Sequence, residues 1–409
     1  MYQRILDLVT KIYYFEMYFK FRVREFMKLF QSLLVAPATL GLLAPMAVTA
    51  NTINLADVST YSSSEEVKNI SEFKTAEELA VTKSRVDGLE ARFNNFEAGS
   101  FSETTTASFS ADMYLGAVDG GSSTSDDAVN ATYSFQIDLN TSFTGEDSLD
   151  VSIDAGNSQA AGTAEFDGNT GSDGLTVDGV AYTFPLGDKT TVFVGDNMDG
   201  STLFSTACVY GGPSNTLDDC GNVNSAIAGG AGTAAGASYE IGNGFTGAIG
   251  YTGAGTTTGG LLTKEGYDSY AGQISYAADS YGASVTYANV EGTDDTVYWG
   301  LNGYWTPSDS GSMPSVSVGY EMGNPTTAKD NTSYFVGLQW DEVGPGTFGA
   351  AIGTKTPTTD GDTELLMYEA FYSYAINDGM TITPLVYIKE FATGTDDETG
   401  VMVKSSFSF

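Results

Sequence analysis

The stretch TYSFQIDLNTSFTGEDSLDVSID, residues 132–154, decides the fold. Its large apolar side chains recur at every second position in two runs, and they are Tyr133, Phe135, Ile137, Leu139, Leu149, Val151 and Ile153. Small or polar side chains, several of them acidic, occupy the alternate positions, and a Gly-containing segment separates the runs. A period of two indicates β-strands with one apolar and one polar face, so the stretch predicts an antiparallel hairpin.

The same alternation continues from residue 101 to residue 409. Segments of about ten residues are long enough to cross a bilayer as tilted strands. We predict sixteen strands, at 104–115, 131–141, 147–154, 174–184, 188–196, 232–241, 244–252, 267–278, 280–290, 294–305, 312–322, 331–341, 346–354, 364–376, 379–391 and 400–409.

The connections between these strands differ in length in a regular way. Those after even-numbered strands are short, whereas those after odd-numbered strands include 155–173, 197–231 and 253–266. Outer-membrane barrels have short periplasmic turns and longer external loops. The sequence therefore predicts an all-β fold, a 16-stranded antiparallel transmembrane β-barrel, with both ends of the barrel on the periplasmic side.

Composition excludes several functional classes. The chain has no His, which removes Ser-His-Asp triads and His-bearing metal sites. The net charge is −35, and residues 101–409 contain six Lys, no Arg and 40 acidic residues. Nucleic acid is excluded as a partner because neutralising phosphates needs a basic surface. We expect no enzyme activity, cofactor or bound metal, and an attraction for cations.

Two cysteines, Cys208 and Cys220, lie twelve positions apart in a loop-like stretch. In an exported protein an isolated close pair indicates one local disulfide, with two free thiols as the alternative.

Residues 27–50, MKLFQSLLVAPATLGLLAPMAVTA, combine a basic start, an apolar run and a small-residue cleavage site. This pattern predicts a signal peptide rather than a membrane-spanning helix, because Gln31 and Pro37 interrupt the run. Residues 1–26 are aromatic and basic, unlike the rest. We interpret them as a gene-start artefact, with translation beginning at Met27, and an amphipathic membrane-surface helix is the alternative.

Residues 51–100 are predicted to form a periplasmic linker and a short coiled coil. Leu79, Val86, Leu89, Phe93 and Phe96 fall at a/d spacing. Two to three heptads need partner helices for stability, and a single helix packed on the barrel is the alternative.

The signal sequence, the segment VDGLEARFNNFEAGSFSETTTASFSAD at 86–112 and the terminal FSF together resemble the major outer-membrane porins of cyanobacteria. These are relatives of the OprB-type carbohydrate-selective porins. The resemblance implies location in the cell outer membrane, contact with its lipid, a homotrimer and anchoring to peptidoglycan through an S-layer-homology region. Only residues 51–78 are available for that region, and they lack its aromatic-rich pattern.

Transport would follow from the acids inside the barrel. Segment 197–231 lies where resembling porins fold a constriction loop inward, and it carries Asp199, Asp218 and Asp219; an ordinary external loop is the alternative. Alternation predicts as lumen-facing Asp138, Asp150, Asp154, Lys189, Glu321, Glu369 and Lys404. Acidic pores favour cations, so we expect passive, cation-preferring diffusion of inorganic ions and small hydrophilic solutes. With no Arg after residue 92, specific sugar recognition is not expected.

The sequence offers three other interpretations. Acid pairs such as Asp294-Asp295, and the stretch DGNTGSDG at 167–174, could bind Ca²⁺. The EF-hand spacing fails in that stretch because its fifth position is Gly171, so solvated loops account for these acids better. Paired carboxylates for glycoside hydrolysis would need a cleft that nothing in the sequence singles out. The alternative functional class is a secreted structural or adhesive surface β-protein, whose outward faces should be polar.

Overall fold

A computed structural model describes residues 104–121, 128–157, 161–166, 168–169, 173–221, 231–256, 259–263, 266–308, 312–392 and 394–409. The predicted leader, signal peptide, linker and coiled coil, residues 1–100, lie outside the described residues. Among those described, none belongs to a helix with the length and hydropathy needed to cross a membrane.

The described chain forms one antiparallel sheet. Its strands are β1 (Thr105–Asp119), β2 (Asn130–Thr141), β3 (Ser148–Gly156), β4 (Thr176–Pro185), β5 (Thr190–Asp199), β6 (Ala231–Gly242), β7 (Phe245–Gly253), β8 (Asp268–Ala277), β9 (Tyr281–Val290), β10 (Thr296–Trp305), β11 (Ser315–Pro325), β12 (Asn331–Val343), β13 (Gly346–Thr354), β14 (Thr358–Thr359), β15 (Leu366–Asn377), β16 (Met380–Lys389) and β17 (Glu398–Ser408).

The sheet closes on itself. β1 pairs with β2 on one side and with β17 on the other, from Ser110 opposite Ser408 to Asp119 opposite Thr399. β14 has two residues and pairs only with the start of β12, while β13 pairs directly with β15. Sixteen strands therefore form the wall, which confirms the predicted 16-stranded barrel, and closure removes the free sheet edges.

Strand register fixes which side chains share a face. Ile137 pairs with Ile153, while their neighbours Gln136 and Asp154 pair on the opposite side. The same rule, followed through every pair around the barrel, separates an outer face rich in Val, Ile, Leu and aromatic residues from an inner face.

Both ends of the barrel lie at its short-turn edge. Ser142, in the turn after β2, donates its backbone N–H to the carbonyl of Thr104, and Phe409 exchanges backbone hydrogen bonds with Phe109. The longest connection, 200–230, follows β5 at the opposite edge. In barrels of this kind the short turns are periplasmic.

Two rows of aromatic side chains mark the outer face. Near the short turns the register turns outward Phe109, Tyr182, Phe245, Tyr276, Tyr281, Trp305, Trp340, Phe348, Tyr374 and Phe407. Near the long loops it turns outward Tyr133, Tyr251, Tyr270, Tyr287, Trp299, Tyr320, Tyr334 and Tyr368. Aliphatic residues lie between the rows, an arrangement typical of barrels whose aromatic girdles sit at the two membrane interfaces.

Part of the inner face is apolar. Phe335 of β12, Met367 of β15, Leu385 of β16 and Met402 of β17 point inward and are almost fully buried. They pack in one cluster with Tyr210 and Leu217 of the connection after β5. The expectation of a polar inner face all the way round is therefore wrong for these strands, because a loop covers them and removes them from water.

Candidate functional site

The connection after β5 lies against the inside of the barrel. Ser205 and Gln273 of β8 are joined twice: the Ser205 N–H donates to Gln273 Oε1, and Gln273 Nε2 donates to the Ser205 carbonyl, each over 2.7 Å. Gln273 faces the lumen, since it pairs with the inward Thr286 of β9. The first part of this connection is thus fixed to one inner wall.

Further along, the same segment is bound to strands on another part of the wall. The backbone N–H groups of Val209 and Tyr210 both donate to Ser317 Oγ of β11, over 3.0 and 3.2 Å. The N–H of Gly211 donates to Gln339 Oε1 of β12 over 2.8 Å. The segment therefore runs inside the barrel from β8 to β12, and we call its described part, residues 200–221, the inner loop.

Tyr210 is a buried anchor of the inner loop. Its hydroxyl donates to Glu369 Oε1 of β15 over 2.7 Å, and its ring contacts Phe335 and Phe371 at centroid distances of 5.3 and 5.7 Å. Burial, reinforced by the charge of Glu369 and this hydrogen bond, raises the pKa of the Tyr210 hydroxyl. The hydroxyl therefore stays protonated and remains a donor at neutral pH.

Cys208 and Cys220 form a disulfide in the inner loop, with their Cα atoms 6.5 Å apart. Cys220 is fully buried, and its carbonyl accepts from Asn302 Nδ2 over 3.4 Å. Ser333 Oγ donates to the carbonyl of Gly221 over 3.1 Å. The disulfide thus joins two stretches of the loop that are each hydrogen-bonded to the wall.

A second connection also enters the barrel, and its inward position was not predicted from the sequence. Residues Ala161–Phe166, between β3 and β4, form a 3₁₀ helix. The Gly162 N–H donates to Asn130 Oδ1 over 2.9 Å, and the ring of Phe166 lies 5.6 Å from that of the inward Tyr114. The run AGTAEF carries no periodic signal for this position, although its buried Phe166 is a side chain that an exposed loop would rarely carry.

Glu165 connects the two loops. Its carbonyl accepts from the Asn215 N–H and its Oε2 from Thr216 Oγ1, both over 2.9 Å. Its second carboxylate oxygen, Oε1, forms an ion pair with the ammonium group of Lys389 of β16. One carboxylate thus holds both loops and the wall together.

Three acids lie on the inner faces of β2 and β3, and all are partly exposed. Asp138 accepts from Gln136 Nε2 and Ser152 Oγ, both over 2.8 Å. Asp150 accepts from Asn140 Nδ2 over 2.6 Å and Ser148 Oγ over 2.7 Å.

Asp154 accepts from Thr176 Oγ1 of β4 over 2.7 Å. These neighbours donate O–H or amide N–H groups and leave the negative charges uncompensated. Their carboxylates can therefore attract cations that enter the lumen.

The other sequence-predicted residues lie in different surroundings. Glu321 and Glu369 are on inner faces but only 1% and 5% exposed, so they do not border open lumen as expected. Lys189 is exposed in the turn between β4 and β5, and Lys404 is on the inner face of β17. Asp199 ends β5, while Asp218 and Asp219 are in the inner loop.

One member of the Asp294-Asp295 pair, which was considered above for Ca²⁺, has a structural role. Asp294 accepts from the backbone N–H groups of Thr327 and Ala328, over 2.8 and 2.7 Å, and so ties two external connections together. Among the described residues, no three His, Cys, Asp or Glu side chains converge in a geometry suited to a metal ion.

The solved structures to which this chain is similar include porins. The chain is similar to Pseudomonas putida OprB in its high-pH structure, with a TM-score of 0.55 and 11% identity, over 81% of this chain and 97% of that one. It is similar to an anion-selective porin from Comamonas acidovorans, with a TM-score of 0.53 and 13% identity, over 75% and 99% of the two chains. It is also similar to outer-membrane expressed OmpT of Vibrio cholerae, with a TM-score of 0.52 and 9% identity, over 76% of this chain and 100% of that one.

No protein-family model and no curated protein sequence matches this chain. At these low identities the structural similarity establishes the shared fold. It confirms the predicted likeness to the OprB-type barrel, and the fold with its outer-membrane neighbours supports a location in the outer membrane.

Proposed function

We propose that this chain is an outer-membrane porin through which inorganic cations and small hydrophilic solutes diffuse passively. One observation carries the proposal: partly exposed Asp138, Asp150 and Asp154 lie inside a closed barrel whose outer face is apolar between two aromatic rows. A barrel of sixteen strands leaves an aqueous lumen unless something fills it.

The balance of charges in the lumen favours cations. Lys389 is paired with Glu165, and among the described residues Lys404 has no carboxylate within 4.0 Å. The hydrogen-bond donors that contact the wall acids are neutral hydroxyl and amide groups. Rings of acidic side chains concentrate cations and repel anions. Since a barrel of the same fold is an anion-selective porin, the sign of selectivity has to come from such residues rather than from the fold.

The two inward loops set the width of the pathway in this proposal. The inner loop covers the apolar inner faces of β12 and β15, and the 3₁₀ helix covers part of β1 and β2. The acid-lined faces of β2 and β3 then border the remaining passage. Because the disulfide and the Tyr210–Glu369 bond hold the inner loop, we expect a stable aperture rather than a fluctuating one.

Planar-bilayer recording of the purified barrel under a KCl gradient tests the proposal. We expect stepwise, ohmic currents and a reversal potential displaced towards that of K⁺. The triple variant Asp138→Asn, Asp150→Asn, Asp154→Asn should reduce this displacement by removing pore charge. A matched variant, Asp330→Asn, Asp360→Asn, Asp362→Asn, removes three exposed charges from external connections and should change it less. A silent bilayer, or reversal towards Cl⁻, contradicts the proposal.

The outer surface also suggests where copies of the chain associate. Between Tyr368 of β15 and Tyr133 of β2, the long-loop halves of β16, β17 and β1 turn no aromatic residue outward. They present aliphatic residues such as Val401 and Leu115. We assign this face to contact between barrels in a homotrimer, and the mass of the unheated complex in detergent measures the number of copies.

A further inference from the structure

A polar cavity of about 180 Å³ lies inside the barrel, where the connection between β3 and β4 faces the inner sides of β1, β2 and β17. The residues that border it include Ser110, Asp112, Tyr114, Gln136, Phe166 and Lys404. We call it the lumen cavity. The acids Asp138, Asp150 and Asp154 do not border it, although Gln136, which does, donates to Asp138. The proposed cation pathway does not account for the composition of the lumen cavity.

The lumen cavity holds one acid and one base that do not neutralise each other. Lys404 pairs across the sheet with Tyr114, so Asp112, two positions away on β1, is its diagonal neighbour on the same inner face. Diagonal neighbours in antiparallel strands are about 7–8 Å apart. No ion pair within 4.0 Å joins Asp112 to Lys404 in the described chain. The cavity therefore offers a negative and a positive group to different ends of one small solute.

Neighbouring groups hold this geometry. The Tyr114 hydroxyl lies 3.4 Å from Asp112 Oδ2 and 3.2 Å from Ser134 Oγ, and its ring is buried against Phe166. The Asn169 N–H donates to Ser134 Oγ over 2.7 Å, which fixes the loop side of the cavity to the wall. Since the hydroxyl orients the carboxylate without adding positive charge, Asp112 keeps its affinity for an ammonium group.

We propose that the lumen cavity binds small zwitterions of the α-amino-acid type, with the ammonium group on Asp112 and the carboxylate on Lys404. Ser110 and Gln136 supply further polar contacts to the solute. The volume of about 180 Å³ admits a small amino acid. The inference rests on the proposed function in that the solute reaches the cavity through the lumen, and it names a solute class for that pore.

Glycine is the probe for the first test, because it has both charges and no side chain. Added to a planar bilayer containing the conducting barrel, it should interrupt the K⁺ current in a saturable way. Glycinamide, which lacks the carboxylate, and glycolate, which lacks the ammonium group, should act at least about tenfold more weakly, since each loses one charge-assisted contact.

Single substitutions locate the effect. Lys404→Gln and Asp112→Asn should each weaken the action of glycine by at least about tenfold, and Lys404→Arg should retain most of it. Lys189→Gln removes the same charge from an exposed turn and should leave the glycine effect unchanged. Heat-modifiable mobility on gels verifies that each variant is folded.

A second measurement separates this inference from the proposed function. Saturation-transfer NMR with glycine and the detergent-solubilised barrel detects binding without requiring current. The inference would be overturned by channels that conduct normally but are not blocked by glycine, or by equal glycine binding to the parent and to Lys404→Gln. Either result would leave the porin proposal standing. Absence of current with Lys404-dependent glycine binding would overturn the porin proposal and leave the cavity assignment standing.

Discussion

Single residues organise the ends of the strands, and Asp147 is the clearest case. In the turn between β2 and β3, its Oδ1 accepts from the N–H and hydroxyl of Thr144, the hydroxyl of Ser142 and the N–H of Phe143, over 2.7–2.9 Å. Its Oδ2 accepts from the Tyr182 hydroxyl over 2.8 Å. Desolvation raises the pKa of Asp147, but these bonds lower it by more, so the net pKa is well below the ordinary value.

The substitution Asp147→Asn should therefore destabilise the barrel in a pH-dependent way. The charged carboxylate contributes its full stability above the ordinary Asp pKa of about 4, and this contribution falls as the pH drops towards the lowered value. The urea midpoint of barrels folded in vesicles, followed by Trp fluorescence, should be lower for the variant at pH 7 than for the parent. The two midpoints should converge in acid.

Glu146→Gln is the matched control, because that side chain is exposed in the same turn. It should leave the midpoint near that of the parent at both pH values. A gap between parent and Asp147→Asn that stays constant from pH 7 into acid would contradict the assigned role of the charge.

Alternation in the sequence predicts which face of the barrel a residue lies on, but it does not predict how buried that residue is. Asp138 and Glu321 both follow the period-two pattern, and the register places both on the inner face. Asp138 is partly exposed, whereas Glu321 is only 1% exposed. Burial of an inward residue depends on a loop far away in sequence, and local periodicity holds no information about that loop.

At the scale of elements, the inner loop fits its wall through one close backbone approach. A Cβ atom added to Gly319 of β11 would lie 1.8 Å from the carbonyl oxygen of Cys220. Glycine is therefore required at this position of the strand. Any larger residue forces either the inner loop or β11 to move.

Gly319→Ala should displace the inner loop from the wall. We expect a changed and more variable single-channel current, with a loss of folding stability of about 1–3 kcal/mol. Gly272→Ala is the control, because a Cβ there would meet nothing closer than 3.8 Å. Equal conductance and stability for Gly319→Ala and Gly272→Ala would contradict this packing.

Strands were predictable from sequence, whereas the two inward connections were predictable only in part. Each of the sixteen expected segments overlaps an observed wall strand, as in 346–354, which matches β13 (Gly346–Thr354). β14 and the 3₁₀ helix Ala161–Phe166 were not expected. Both are short elements fixed by contacts with distant residues, such as the β14 pairing with Asn331 and Thr332, so their local patterns are weak.

For the whole molecule, departures from alternation indicate where the lumen is filled. β16 reads MTITPLVYIK, with Leu385 and Tyr387 inward and Val386 and Ile388 outward, so it is apolar on both faces. In a barrel of this kind, such a strand signals that something covers its inner side. The pattern was present in the sequence, but it could not identify the inner loop as the cover.

The central claim concerns the whole barrel: the outer face of each strand contacts lipid, and the inner faces that the two inward loops leave uncovered border a water-filled lumen. Site-directed fluorescence tests it most directly. Single cysteines would be placed at the outward Ile249, Ile274 and Val285 and at the inward Thr246 and Ser275, labelled with bimane and folded into vesicles. We predict quenching by brominated lipid chains at the first three positions and by aqueous iodide at the other two. Quenching by lipid at Thr246 and Ser275, or iodide access at all five positions, would contradict the account.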